Sequence, residues 1–307
     1  MMTIRFIHPH KAFLPEIIAY VDFFTAHGIN TEVVSRAEVH NSACEVEWHF
    51  LGQHSRRNKA VITIHEYASA SVPPLSTLKD RIKKLINTRP DYRIFNNDYV
   101  QHQFQWNDAI PFGIRNYGIP PGTDHLLPGI QKQYDFVYVG TVDKGRNLEL
   151  LFNCFTKGAL KERSLLVLSR AYNALSAAYA GTANITFKGP VPYHEVYTHI
   201  QQAKYGINYM PDIVPYNQQT SAKFLDYAAC RMPVVTTDYA WVRQFQNNYG
   251  GSYFYLQPDL KNFTWEKINN FSYAQPDLSS WTWEKQIRSC GVLTFLESKF
   301  PGLKFSV

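Results

Sequence analysis

No stretch of this chain stays apolar for the roughly 20 residues that a bilayer-spanning helix requires. The opening MMTIRFIHPH passes straight into a strand-like run, without the apolar core of a signal region. Cysteine is scarce: Cys44, Cys154, Cys230 and Cys290 stand singly, with no CxxC pair. That pattern argues against a disulfide framework or a cysteine-held zinc and suits a reducing cytoplasm. The sequence also lacks GxxxxGK[ST], the GxGxxG dinucleotide fingerprint and any repeat of solenoid length. No nucleic-acid-binding motif occurs, so no nucleic-acid partner is expected.

What is present fits two globular domains: 307 residues, 45% of them hydrophobic, are enough for two cores. The net charge of +6 is unevenly placed. Lys79, Arg81, Lys83, Lys84, Arg89 and Arg93 face only Asp80 and Asp91, so the segment 78–93 alone carries +4. Leu78, Ile82, Leu85 and Ile86 recur on its other face at helical spacing. Such a helix lies on an anionic membrane surface, or is a surface helix with a solvated basic face. Both readings stay open.

Apolar β runs alternate with helical patterns along the chain. Strands fit Ile4–His8, Thr31–Ser35, Glu45–Leu51, Ala60–His65, Arg93–Phe95 and Ile110–Ile114 in the first part. Phe136–Val139, Leu165–Leu168, Ile185–Phe187, Gly206–Tyr209, Val234–Thr237 and Tyr253–Leu256 follow in the second. A helix fits Leu14–Gly28, and Asp98 is placed to cap another reaching Trp106. Alternation of this kind predicts an α/β fold of two Rossmann-like, doubly wound domains facing across a cleft. The expected divisions are a first domain at 1–125, a linker at 126–133 within the Pro/Gly-rich GIPPGTDHLLPG, a second domain at 134–280, and one long terminal helix at 281–307 that packs back on the first domain.

The chemistry concentrates in the second part. Val214–Asp238 runs from a polar turn containing Thr220 and Ser221 into a helix carrying Lys223 and Asp226, then into PVVTTD. A helix N-terminus of this kind attracts anions. Asp226 would lie about 9 Å further along, at roughly 1.5 Å per residue, where a carboxylate suits a ribose diol. An ordinary capped helix is the plainer alternative. VGTVDKG (139–145) fits a second anion-binding turn, with Gly140 and Gly145 for tightness and Lys144 and Arg146 for charge; a plain structural turn is the alternative. The FKGPVP turn, with Gly189, presents backbone groups to a flat base.

The order VGTVDKG, ITFKGPV (185–191), QTSAKFLDYAACRMPVV (219–235) resembles the C-terminal domain of GT-B-type glycosyltransferases of family 4, over about 170 residues. Their patterns run V-G-x…K-G, v-x-F-x-G-x-V, and two glutamates separated by seven residues before A-x-G-x-P-V-V. In the first part IHEY (64–67), RIFNNDYVQHQF and YGIPPGTD resemble the family more thinly, so the N-terminal domain is expected to be short and divergent.

The resemblance implies a hexosyltransferase-type enzyme that moves a sugar from a UDP- or GDP-type donor, as substrate rather than cofactor, to a glycan or lipid-linked acceptor in cell-surface polysaccharide synthesis. It implies retention of configuration. No Asp-x-Asp occurs, which disfavours the metal-dependent scheme, and no metal is expected. His65, Lys144, Arg146 and Gln218 take catalytic positions. Gly140, Thr141, Gly189, Thr220, Ser221, Lys223 and Asp226 hold the donor nucleotide. Three departures stand out: Gln218 replaces a glutamate, Thr141 replaces an arginine, and the loop His8–Pro15 lacks a glycine pair. They motivate an alternative, a catalytically silent GT-B protein that binds nucleotide sugar or glycan as a partner subunit. A sugar epimerase of the same fold is a third reading, without a dedicated acid–base pair. The expected location is cytoplasmic, or peripheral on the inner face of the membrane.

Tyr205, Tyr209, Tyr216, Tyr227 and Tyr239 gather near the expected donor site and are read as packing on the sheet, with stacking on sugar faces as the alternative. Cys230 is read as filling core space. His8 and His10 lack a third ligand for a metal.

Overall fold

The computed structural model describes every residue except 1, 9–12, 40–42, 51–57, 60, 72–74, 105, 121–128, 143, 171, 173 and 306–307, and for Lys144 the backbone alone. The linker expected at 126–133 and the loop containing His10 thus lie partly outside the described residues. The chain divides into two units, one of Met1–Pro121 with Ser280–Val307 and one of Gly122–Ser279. Among the described residues no helix is long and apolar enough to cross a membrane.

The first unit opens with β1 (Thr3–His8) and α1 (Pro15–Ala26). Pro15 pre-sets the first helical turn and Gly28, at φ 74°, closes the last, the asymmetry that favours both residues there. β2 (Asn30–Ser35), β3 (Val46–Phe50), β4 (Ile62–Tyr67), α2 (Ser76–Ile86), β5 (Tyr92–Phe95), α3 (Asp98–Phe104) and β6 (Phe112–Ile114) follow. Asn97 rather than Asp98 caps α3, its Oδ1 accepting from the Val100 N–H at 3.0 Å. The six strands pair in parallel in the order β2-β1-β3-β4-β5-β6.

Period-two alternation sends Ile4, Phe6, Val46, Trp48, Ile64 and Ile94 into an apolar core with α1. The intervening Arg5, Glu47, His49, Thr63, His65 and Arg93 line the opposite face and are buried as well. Its two arginines are paired: Arg5 with Glu32 at 2.9 Å, and Arg93 with both oxygens of Asp108 at 2.6 and 2.8 Å. This sheet therefore has a polar buried face, which buried charge tolerates only when paired.

The second unit alternates regularly: β7 (Tyr134–Val139), α4 (Leu148–Thr156), β8 (Leu165–Leu168), α5 (Ala174–Tyr179), β9 (Ile185–Lys188), α6 (Tyr193–Gln201), β10 (Ala203–Asn208), α7 (Ala222–Ala229), β11 (Val234–Thr237), α8 (Ala240–Tyr249) and β12 (Phe254–Leu256). A short α9 (Trp265–Asn269) was not marked by the sequence pattern. Strand order is β12-β11-β10-β7-β8-β9, all parallel, so the direction of winding reverses between β7 and β10. Open α/β sheets bind ligands at the carboxyl ends of strands at such a reversal.

The single terminal helix expected over 281–307 is two helices, α10 (Trp283–Ser289) and α11 (Val292–Lys299). Gly291 between them takes φ 76°, which a continuous helix does not allow. The Cys290 carbonyl freed by the break accepts the Tyr92 hydroxyl at 2.8 Å. Ile287, Val292, Leu293 and Leu296 complete the apolar core of the first unit.

Candidate functional site at the strand reversal

β7 and β10 stay in register from Tyr134 against Ala203 to Val137 against Gly206. Beyond that pair Tyr227 of α7 enters. Its hydroxyl accepts the Val139 N–H at 2.8 Å and lies 3.4 and 3.3 Å from the Val137 and Ile207 carbonyls. The ring fits because Gly206 carries no Cβ. Burial pushes the Tyr227 phenol well above its usual range, so it serves as a neutral strap across the split.

Two cations stand beyond the carboxyl ends of β7 and β10: Arg146, half-buried, and Lys223, buried. After β7 the backbone turns at Gly140, φ 142°, and a 3-10 turn over Lys144–Arg146 leads to α4. Arg146 folds back: its Nη1 lies 3.4 Å from the Tyr138 hydroxyl and 4.0 Å from Met210 Sδ. A Cβ on Gly140 would stand 3.3 Å from the same nitrogen. From α7, Lys223 Nζ lies 3.0 Å from Met210 Sδ and 5.2 Å from the centre of the Tyr138 ring. The Met210 backbone is pinned by Thr237, whose hydroxyl donates to its carbonyl at 2.8 Å and accepts from its N–H at 3.0 Å. Tyr138 and Met210 are thus a platform holding two positive side chains from different elements.

α7 begins at Ala222, with Ser221 as its cap. The Ser221 hydroxyl accepts from the Phe224 N–H at 3.4 Å and donates to Asn208 Oδ1 at 2.8 Å. Asn208 in turn donates to Thr236 and Tyr239, each at 2.9 Å. Ser221 is therefore a buried structural cap, and Thr220 stands half-buried just before it. Asp226, one helical turn beyond Lys223 and buried, accepts the hydroxyl of Tyr197 on α6 at 2.7 Å. Gln218 lies in a separate 3-10 turn, Tyr216–Gln218.

The remaining expected residues spread out. Thr141 is exposed, its carbonyl accepting from the Tyr138 hydroxyl at 3.2 Å. The Lys144 side chain lies outside the described residues. Gly189 takes φ 133° and packs against Ser169, just past β8, where a Cβ would meet the Ser169 carbonyl oxygen at 2.2 Å. His65 belongs to the first unit and does not stand at the end of its strand, because β4 continues to Tyr67. Its ring is wholly buried, with Nδ1 3.2 Å from the Tyr67 hydroxyl and the His49 ring 5.7 Å away. Its neighbour Glu66 faces the apolar core, ion-paired with Arg115 and accepting from the Trp48 indole at 2.8 Å.

Tyr138, Met210 and Tyr197 were not singled out from sequence. Only Tyr138, inside the YDFVYVG strand, carries a signal: its position next to the turn fixes it beside whatever the turn binds. Tyr205, Tyr209, Tyr227 and Tyr239 are buried. Burial raises the Cys230 thiol to about 12, which keeps it a neutral packing group.

No family model matches the chain, and no curated protein matches its sequence. Solved structures match its fold. Sucrose-phosphate synthase from Thermosynechococcus elongatus aligns over 99% of this chain and 100% of its own, with 10% identity and a TM-score of 0.63. HepE from Anabaena, solved with UDP and glucose, aligns over 99% and 100%, with 11% identity and a TM-score of 0.61. The UDP-forming α,α-trehalose-phosphate synthase from Burkholderia xenovorans, solved with glucose-6-phosphate, aligns over 98% and 99%, with 9% identity and a TM-score of 0.59. The likeness is one of architecture: two parallel six-stranded sheets flanked by helices, the α/β arrangement of GT-B proteins.

Proposed function

We propose that this protein is a glycosyltransferase of hexosyltransferase type, using a UDP- or GDP-type sugar as donor and a glycan or lipid-linked glycan as acceptor. The observation that carries the reading is the pair Arg146 and Lys223, brought from different elements to the reversal between β7 and β10. Breaking a glycosyl–diphosphate bond builds negative charge on the departing nucleotide, and fixed cations aimed there lower the barrier. Lys144 adds a third charge from the same turn, so charge neutralisation is assigned to side chains. Asp226, joined to Tyr197, is the ribose contact, and Gln218 faces the donor sugar. Fold neighbours solved with UDP or UDP-glucose agree with such a donor.

Retention of configuration, a role in cell-surface polysaccharide synthesis, a cytoplasmic location and contact with the membrane surface through segment 78–93 complete the reading. The first unit is assigned the acceptor. Calorimetry against UDP, GDP, ADP and CMP is the direct test: saturable binding of one diphosphate, weakened at least about tenfold in Arg146→Ala, is expected. Absence of binding to any of them overturns the proposal.

The second reading is a silent GT-B protein that binds nucleotide sugar without turnover, favoured by glutamine at 218 and threonine at 141. Tight nucleotide binding without donor hydrolysis or transfer, across many donors and acceptors, selects it.

A further inference from the structure

Helix α2 is inside out. Leu78, Ile82, Leu85 and Ile86 form one stripe, extended by Leu75 a turn earlier, and all five are exposed, Leu85 to 84% and Leu75 to 69%. The side turned to the protein is polar. Asp80 is buried, with both carboxylate oxygens 3.2 Å from the Ser71 N–H. Lys83 Nζ donates to the Ser71 hydroxyl at 2.8 Å and lies 3.4 Å from Asp80. A surface helix in water has the opposite arrangement, with its apolar stripe against the core. The inversion fits the polar face of the sheet in this unit. Tyr67 on that face accepts from Asn87, immediately after α2, at 3.4 Å.

The charges around the stripe select its partner. Lys79 and Arg81 are exposed on either side of it. At its C-terminal end Lys84, Leu85, Arg89, Arg93, Trp106 and Asp108 line a cavity of about 390 Å³, three cations against one carboxylate, with Asp108 Oδ2 4.0 Å from Arg89. Arg93 is held in that wall by Asp108 and by the Trp106 ring, 4.3 Å from its guanidinium carbon. Two copies of this chain meeting through α2 would bring cations face to face. An anionic lipid surface answers both the apolar stripe and the charge, the combination that holds amphipathic helices in a bilayer interface.

We propose that α2 is a docking surface for an anionic phospholipid bilayer. Leu78, Ile82 and Leu85 enter the acyl boundary, Lys79 and Arg81 meet the phosphates, and one headgroup phosphate is seated in the cavity between Lys84 and Arg89. The proposal rests on the membrane contact named above and is independent of sugar transfer.

Co-sedimentation of the full chain with vesicles tests it. Binding is expected to vesicles of phosphatidylcholine mixed with phosphatidylglycerol and not to phosphatidylcholine alone. The double variant Leu78→Gln, Leu85→Gln should weaken binding at least about tenfold, with circular dichroism and nucleotide binding unchanged because both side chains are exposed. Arg89→Gln should weaken it about fivefold. Equal binding by wild type and the double variant would leave membrane contact standing and overturn the role of α2. No binding by wild type would overturn both. A dimer in sedimentation equilibrium that Leu85→Gln dissolves would assign the stripe to a second copy instead.

Discussion

A Cβ on Gly206 would stand 2.4 Å from the ring of Tyr227, so the two residues occupy one space at the point where β7 and β10 part. The glycine admits the ring, and the ring's hydroxyl closes the hydrogen bonds that the parting strands open. Gly206→Ala should destabilise the protein by about 1–3 kcal/mol through overpacking. Tyr227→Phe should cost a similar amount, about 1–3 kcal/mol, by stranding the Val139 N–H. Urea unfolding followed by circular dichroism measures both; wild-type midpoints in either variant would remove the strap from the account of the fold.

Arg146→Ala and Lys223→Ala should each weaken nucleoside-diphosphate binding by about 1.5–3 kcal/mol, the usual worth of a hydrogen bond to a charged group. Turnover should fall at least as far, because the charge they meet grows in the transition state. Lys144→Ala should act mainly on turnover. If Lys144→Ala has wild-type kinetics, Arg146 and Lys223 carry the diphosphate alone.

Asp226→Ala should reduce UDP or GDP affinity, and it also removes the acceptor of the Tyr197 hydroxyl. Tyr197→Phe should produce a smaller loss, since the carboxylate stays in place. Calorimetry decides: unchanged affinity in both variants would make the pair a clamp between α6 and α7 and nothing more.

Burial pushes the Glu16 carboxyl up from 4.5 to about 7; the neighbouring Arg115 cation offsets part of the rise and Glu66 adds to it. A raised carboxyl keeps its proton in the native state where the unfolded chain has lost it. Its contribution to stability therefore falls as pH rises from about 4.5 to about 7 and is level above that. Glu16→Gln cannot titrate. The wild-type melting temperature should drift downward relative to the variant across that window, and parallel curves would show that Glu16 does not titrate there.

Arg231 takes φ 51° just past the end of α7, the left-handed conformation that glycine adopts without strain. Arg231→Gly should stabilise the protein by up to about 1 kcal/mol, the left-handed strain relieved less the chain entropy that glycine adds to the unfolded state, read as a higher urea midpoint.

The elements of both sheets were legible because apolar alternation and short β-branched runs are local signals, and Leu165–Leu168 and Val234–Thr237 fall where the pattern put them. The terminal segment misled because Cys290-Gly291 interrupts an otherwise helical pattern, and one glycine does not announce its φ. His65 misled for a related reason. Whether a strand stops at a histidine or two residues later is decided by pairing with β5, where His65 lies opposite Arg93 and Tyr67 opposite Phe95.

By itself the sequence determined the class: parallel α/β units, a glycine turn with basic residues after β7, and a capped helix with a lysine and a carboxylate before β11. These follow from periodicity and from residue chemistry within a few positions. Only the tertiary structure decided which side chains meet. It joined Arg146 to Lys223 through Tyr138 and Met210, gave Asp226 to Tyr197, and committed Ser221 to the interior. It also turned the leucines of α2 outward. Those outcomes depend on strand order and on the polarity of the face each helix packs against, and neither is encoded in the spacing of any one segment.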